Sequence, residues 1–340
     1  MIRLPPPGLL AFAAATLLPL ALLAAGAGSG AAALAALIYL TGLTFLLDQL
    51  VPAAAGEGAE FPGADALLIA LALGHVALLP LTVAAVAGES VLSPGERAAL
   101  ALAAGLWIGQ VAVPAAHELI HRPDRRLFWL GAAVYAVMLF GHHASAHRLV
   151  HHTRAASPAD PNTARQGESF YRFFARAWRG SSVEGLRAET ALRQGRGAHP
   201  YLIYGAISVA GLGVAFWLAG LAGAAVWAGV SLHGQVQLLL ADYVQHYGLI
   251  RATRPDGRRG PLTVAHAWNA PHWFSGVLTL QAARHSDHHL NPARPYPALR
   301  LPPDAPALPC ALPLACTLAL VPPLWRRVMH PRLARWRAAS

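Results

Sequence analysis

LFWLGAAVYAVMLFGHH, residues 127–143, is apolar for most of its length, and whether it crosses a bilayer decides the topology of the whole chain. HELIH stands just before it at 117–121, and HRLVHH just after it at 147–152. Histidines that serve one centre must lie on one side of a membrane, and a single full crossing would part these two groups. We therefore read 127–143 as a helix that lies in the interface, or dips into the bilayer and returns.

Outward from that stretch, apolar runs near the roughly 20 residues a crossing needs occur at 9–27, 31–50, 66–88, 97–117, 201–221 and 223–245. The chain is 55% hydrophobic and 12% charged, against about a quarter charged in a soluble domain. The fold class expected is all-α and polytopic, with six transmembrane helices beneath a histidine-rich cap. Residues 1–116 carry the first four spans, and 117–200 the first two histidine motifs with the interfacial helix. Spans five and six fill 201–245, and the third histidine region and C-terminal cap fill 246–340. The last two spans meet in a turn near Leu221–Gly223. The run at 307–324 holds Pro309, Pro313, Pro322 and Pro323, which suits an apolar cap under the membrane surface better than a span. The N-terminal run has the look of a signal peptide, but the next apolar run follows at once, so a retained first span is the better reading.

Six crossings put both ends and all the histidine motifs on one side. The basic residues are all arginine, 26 of them. They gather in 122–200 and after 250, whereas the loops at 28–30 and 89–96 are poor in them. The excess of positive charge on cytoplasmic loops then places the histidines on the cytoplasmic side of a bacterial inner membrane. The acidic loop at 51–65 falls on that side too. A net charge of +10 raises nucleic acid as a partner, but arginines scattered between apolar runs form no basic face, and no nucleic-acid role is expected. The two cysteines, Cys310 and Cys316, make neither a disulfide framework nor an iron–sulfur carrier.

The histidines carry the chemistry. His117 and His121 are four apart, so a helix turns them to one face, where they can grip one metal ion. Alone, HELIH is also the zinc metalloprotease signature, with Glu118 as general base, or simply two histidines at an interface. His147, His151 and His152 repeat the four-residue spacing and add an adjacent ring. His285, His288 and His289 form another triplet, and His246 stands in DYVQHYGL. Nine imidazoles exceed what one zinc takes, three protein ligands and an open position in a protease. They suit two metal ions, and imidazole coordination with open positions suits iron that binds dioxygen.

These residues carry a resemblance. HELIHRP, HRLVHHTRAASPADPNTARQGESFYRFF, DYVQHYGLIR, LQAARHSDHHLNPARPYPALR and LVPPLWRRVMHPRL resemble the membrane-bound di-iron hydroxylases, most closely the alkane 1-monooxygenases, within the fatty-acid desaturase and hydroxylase superfamily. The resemblance covers most of 117–335 and implies that His117, His121, His147, His151, His152, His246, His285, His288 and His289 ligate two iron ions. Glu118, Asp160, Asp242 and Asp287 are candidates for carboxylates that orient those rings, Asp287 first among them. The resemblance further implies dioxygen as co-substrate and terminal hydroxylation of a lipid-soluble hydrocarbon. Electrons would come from a separate rubredoxin or ferredoxin with its reductase. The chain departs from the family pattern at Ala146 and Val150, where Glu and Gly are usual, and at Asp242 and Gln245, where Asn and Glu are usual. Other histidines near the motifs, His142, His143, His233 and His272, are read as hydrogen-bonded interface or core residues. The rival readings are an acyl desaturase or a terpene or aryl-methyl hydroxylase, a zinc intramembrane protease built on HELIH, and a metal store without catalysis.

Overall fold

The computed structural model describes residues 2–4, 6–51, 53–56 and 58–339. One short parallel pairing, Ile2–Leu4 beside Ala53–Ala55, accompanies a chain whose other regular elements are helices. Four apolar helices are each long enough for one crossing: Leu9–Gly26, Gly30–Leu50, Ala64–Ala87 and Pro94–His121. The fourth shows why the boundaries fall where they do. Ser93 and Glu96 close a capping box around Pro94 at its first turn, an arrangement that satisfies free N–H groups at a helix start. At its far end Arg122 is already extended, as a residue before a proline must be.

Pro200–His246 is assigned as one helix of 47 residues, which would run about 70 Å if straight. It is not straight. Ala219 (φ −153°, ψ 30°) and Gly220 (φ +58°, ψ −147°) break it. Ser208 and Trp227, about 28 Å apart along a straight helix, donate to the neighbouring carbonyls of Ala136 (2.8 Å) and Val137 (2.9 Å). The helix is therefore a hairpin of two arms, 200–218 and 221–246, which brings the candidate spans among the described residues to six. The turn lies slightly before the Leu221–Gly223 position expected. Gly220 explains the shift, since its positive φ suits a residue without a Cβ. Gly223 serves close packing instead: a Cβ there would sit 2.2 Å from the Ala215 carbonyl oxygen.

The stretch at 127–143 does not cross. Arg125–Val137 is a helix of 13 residues, about 20 Å against a hydrocarbon core of about 30 Å. It runs back along the fourth span, with Tyr135 Oη donating to the Val113 carbonyl (3.4 Å). A Cβ on Gly131 would meet the Ala116 carbonyl at 2.7 Å, so the two helices touch through backbone. The chain turns at 138–141, where Gln235 Nε2 of the sixth span holds the Met138 carbonyl (2.8 Å). It then returns through 142–154. The segment dips and comes back, leaving the His121 and His147 ring centroids 5.2 Å apart.

Other ends gather on the same side. Asp65, at the start of the third span, pairs with Arg122 (2.9 Å), so the acidic loop lies beside the histidines; its Pro52 and Glu57 fall outside the described residues. The prolines of 307–324 divide that run into Leu312–Ala319 and the start of Pro322–Ala339. In the latter helix Trp325, Met329 and Leu333 are fully buried, and Arg337 donates to the Gly248 carbonyl (2.8 Å). The faces of 200–221 point outward, with Leu202, Val209, Trp217 and Leu221 at 70% exposure or more. Such a surface is stable against lipid and not against water.

Candidate metal centre

Nine rings converge from four places in the sequence. His117 and His121 ride the last turn of the fourth span, and His246 ends the sixth. His147, His151 and His152 sit on the returning segment, and His285, His288 and His289 on the short helix His285–Leu290. They form two groups whose possible ligand atoms all lie within 4.8 Å of one another: His117, His121, His147, His152 and His288, and then His151, His246, His285 and His289. The groups abut, with the His152 and His289 ring centroids 4.9 Å apart.

How the sequence divides itself between the groups differs from the simple helical expectation. Equal spacing of four would send His147 and His151 to one spot. They go to different groups, because 147–151 is a single π-turn in which the His152 N–H reaches the His147 carbonyl. The wider turn brings the residue five places on back under the first, so His152 joins His147, with Nε2 atoms 2.9 Å apart. In His285–Leu290 the ordinary geometry holds. His285 and His289 share a group (Nε2–Nε2 3.0 Å) while His288 turns to the other. Two adjacent pairs, His151–His152 and His288–His289, thus supply one ring to each group.

The distances fit a metal. Ligand nitrogens about 2.1 Å from an ion stand about 3 Å apart when they subtend a right angle there. Close Nε2–Nε2 separations within the groups run from 2.8 Å for His117–His147 to 3.2 Å for His246–His289. The Nε2 atoms of His121 and His151 are buried with no hydrogen-bond partner, a costly state for a polar atom unless something else occupies it. Burial, then the neighbouring rings, hold His147, His152, His285, His288 and His289 far below the usual imidazole range. They are therefore neutral, the form that ligates.

The four carboxylates have separate fates. Asp160 accepts from His151 Nδ1 (2.9 Å) and Thr163 Oγ1 (2.7 Å). Burial alone would lower the pKa of His151, but the charge and hydrogen bond of Asp160 raise it. This contact turns the free Nε2 of His151 into its group, the ring-orienting arrangement common at metal sites. Asp242 is buried and held by Asn162 Nδ2 (2.6 Å). Glu118 accepts the Tyr296 N–H (3.0 Å). Asp287, expected first among ring orienters from its place inside the triplet, faces elsewhere. It accepts from Arg294, from Asn291 Nδ2 (2.9 Å) and from the Arg300 N–H (2.7 Å), fixing the chain after the triplet instead of a ring. Where the family has a carboxylate, Gln245 donates to the Ala282 carbonyl (2.9 Å).

A cavity of about 100 Å³ opens against the rings, touching His117, His147, His285 and His288. Its other walls come mostly from the fourth and sixth spans and from Leu312, Pro313 and Cys316 of the cap. Gln110, Tyr135 and Thr279 also line it, and nothing in their local sequence distinguished them. His143 lines it as well, 5.3 Å from the His147 ring, so the reading of it as an ordinary core residue understates its place. His142 instead meets Ser181 (3.3 Å), and His233 meets Gln237 (3.3 Å). Burial pushes the Cys316 thiol up, and both cysteines are free.

Comparison with known proteins agrees with this site. Residues 97–301 match the family model for fatty acid desaturases, and the chain belongs to that family. It is 35% identical over 259 residues to the alkane 1-monooxygenase of Ectopseudomonas oleovorans, covering 73% of this chain and 63% of that one. It is 34% identical over 266 residues to the alkane 1-monooxygenase of Pseudomonas putida, again covering 73% and 63%. To the xylene/toluene monooxygenase hydroxylase component XylM of Pseudomonas putida it is 28% identical over 242 residues, 68% and 63% of the two chains. The chain thus spans somewhat less than two thirds of the length of these curated relatives. With the family, the two histidine groups fit an iron site in a membrane protein.

Proposed function

We propose that this chain is a non-haem di-iron monooxygenase that hydroxylates the terminal carbon of alkanes or similar lipid-soluble hydrocarbons. Dioxygen is the co-substrate, and a separate rubredoxin or ferredoxin with its reductase delivers the electrons. The observation that carries the reading is the division of nine imidazoles into adjoining groups of five and four. His117, His121, His147, His152 and His288 would hold one iron, and His151, His246, His285 and His289 the other. Two irons held there would supply oxygen activation and oxidation of an unactivated C–H bond. Asp160 holds the His151 ring in place and keeps its proton on Nδ1. The mostly apolar walls of the cavity, drawn largely from the fourth and sixth spans, would exclude water and receive a hydrocarbon dissolved in lipid. The arginine-rich side, which bears the histidines, would face the cytoplasm across an inner membrane.

A zinc protease on HELIH fits poorly, since three further imidazoles crowd its two histidines where a protease leaves an open position. The likeness to the xylene/toluene component favours one second reading, hydroxylation of an aryl methyl group. The test is metal analysis together with turnover of labelled octane, xylene and a fatty acid in membranes supplied with a donor protein. About two irons per chain and a primary alcohol from octane support the proposal. Benzylic alcohol alone moves it to the second reading. A new double bond, or zinc in place of iron, overturns it.

A further inference from the structure

A second cavity, of about 320 Å³, has a different chemistry and shares no lining residue with the one against the rings. Arg122, Arg125, Arg148 and Arg193 line it, and Glu189 is its single acidic residue. Arg193 is answered by Glu189 (3.2 Å), and Arg122 by Asp65 (2.9 Å). Arg125 and Arg148 have no ion pair among the described residues. Arg148 lies over the Phe128 ring at 4.9 Å, which leaves its N–H edge free. Arg122, whose side chain is only 10% exposed, keeps a buried Nε with no acceptor. The cavity therefore carries two unneutralised guanidinium groups and one buried donor without a partner.

Its depth in the membrane follows from the spans. Arg122 stands just past the end of the fourth and Pro200 at the start of the fifth, and both line it. It lies where hydrocarbon gives way to water, and Trp129 beside it is a residue type enriched at that boundary. Guanidinium groups bind phosphate oxygens in pairs, and basic pockets between spans are sites for anionic headgroups. A recessed cavity suits a headgroup better than the convex face of an acidic protein.

We propose that this cavity binds the phosphate of an anionic glycerophospholipid, with Arg125, Arg148 and the Arg122 Nε as its donors. The site joins the two ends of the re-entrant segment, since Arg122 follows His121 and Arg148 follows His147. A bound lipid would brace the segment that carries these rings. The proposal depends on the membrane topology and not on the metal.

The test places the full chain in nanodiscs of phosphatidylcholine with or without phosphatidylglycerol, reading Tm and retained lipid by native mass spectrometry. Phosphatidylglycerol should raise Tm and be retained selectively. Arg125→Gln with Arg148→Gln should weaken that retention about thirtyfold, and Arg125→Gln alone about fivefold, from the surface value of one arginine. Arg259→Gln, in an exposed loop, should change nothing. If the double variant does not fold, the wild-type lipid comparison and the single variant still decide. Equal Tm in both membranes, an equal rise with inorganic phosphate alone, or variants that lose only affinity for an acidic donor protein would each overturn the proposal.

Discussion

The fourth span and the first arm of the hairpin at 200–246 look alike as text, both strongly apolar, yet they live in different solvents. In the most apolar stretch of the fourth, 72% of residues are buried within the protein; in that of the hairpin, 11% are. The difference teaches that hydropathy reports compatibility with a membrane and not which neighbour a helix has. The fourth span carries two of the nine rings and lines the apolar cavity. The exposed first arm of the hairpin has lipid for most of its neighbours and bears no ring of the centre, whereas the second arm packs inward and ends in His246.

The largest effect that would sharpen this contrast is loss of a ring from the buried helix. His117→Ala should leave its five-ring group short, lower bound iron and cut hydroxylation by more than about a hundredfold, beyond the usual cost of an outer-shell change; product analysis and iron content read it. Asp160→Asn should cost about ten- to a hundredfold in activity while the Tm changes far less, because it frees the His151 ring without emptying the site. A small change from Asp160→Asn would show that packing alone fixes that ring.

Packing supplies the next test. Gly234, where a Cβ would lie 2.6 Å from Ile108 Cγ2, should destabilise by about 1–3 kcal/mol as Gly234→Leu. Leu202→Val on the exposed arm should stay within about 0.5 kcal/mol, and comparable losses from both in thermal unfolding would break the comparison.

The smallest effect is electrostatic. Burial alone would raise Glu168, but the Arg176 guanidinium (2.8 Å) and the Arg165 N–H hold its carboxyl below its ordinary 4.5. The folded pKa is depressed, so this stabilisation is complete above pH 4.5 and fades as the pH falls through the lower folded value. Glu168→Gln should lower the Tm modestly across the neutral region and flatten the acid side of the Tm–pH curve, where the wild type has already lost this contribution.

Much of this architecture was legible in the sequence. The spans follow from hydropathy, and the re-entrant reading of 127–143 follows from requiring His121 and His147 to meet. The nine rings stood out by their number. Their allocation did not, since a π-turn at 147–151 depends on packing, and the four-residue rule sends His151 to the wrong group. Asp287 misled for a related reason. Position inside a triplet says nothing of the direction in which a side chain leaves the helix, and Arg294 and Arg300 lie too far along the chain to be foreseen as its partners. The turn at Gly220 could have been chosen over Gly223 only by knowing which glycine needs its backbone freedom and which needs its lack of bulk. Tyr135, Gln110 and Thr279 belong to the cavity by tertiary contact alone.

The doublets His151–His152 and His288–His289 have a mechanical consequence. Residues joined through one peptide unit share their backbone, so a shift of the chain that moves one ring within its group also moves its neighbour in the other. The spacing of one cup is thereby tied to that of its twin.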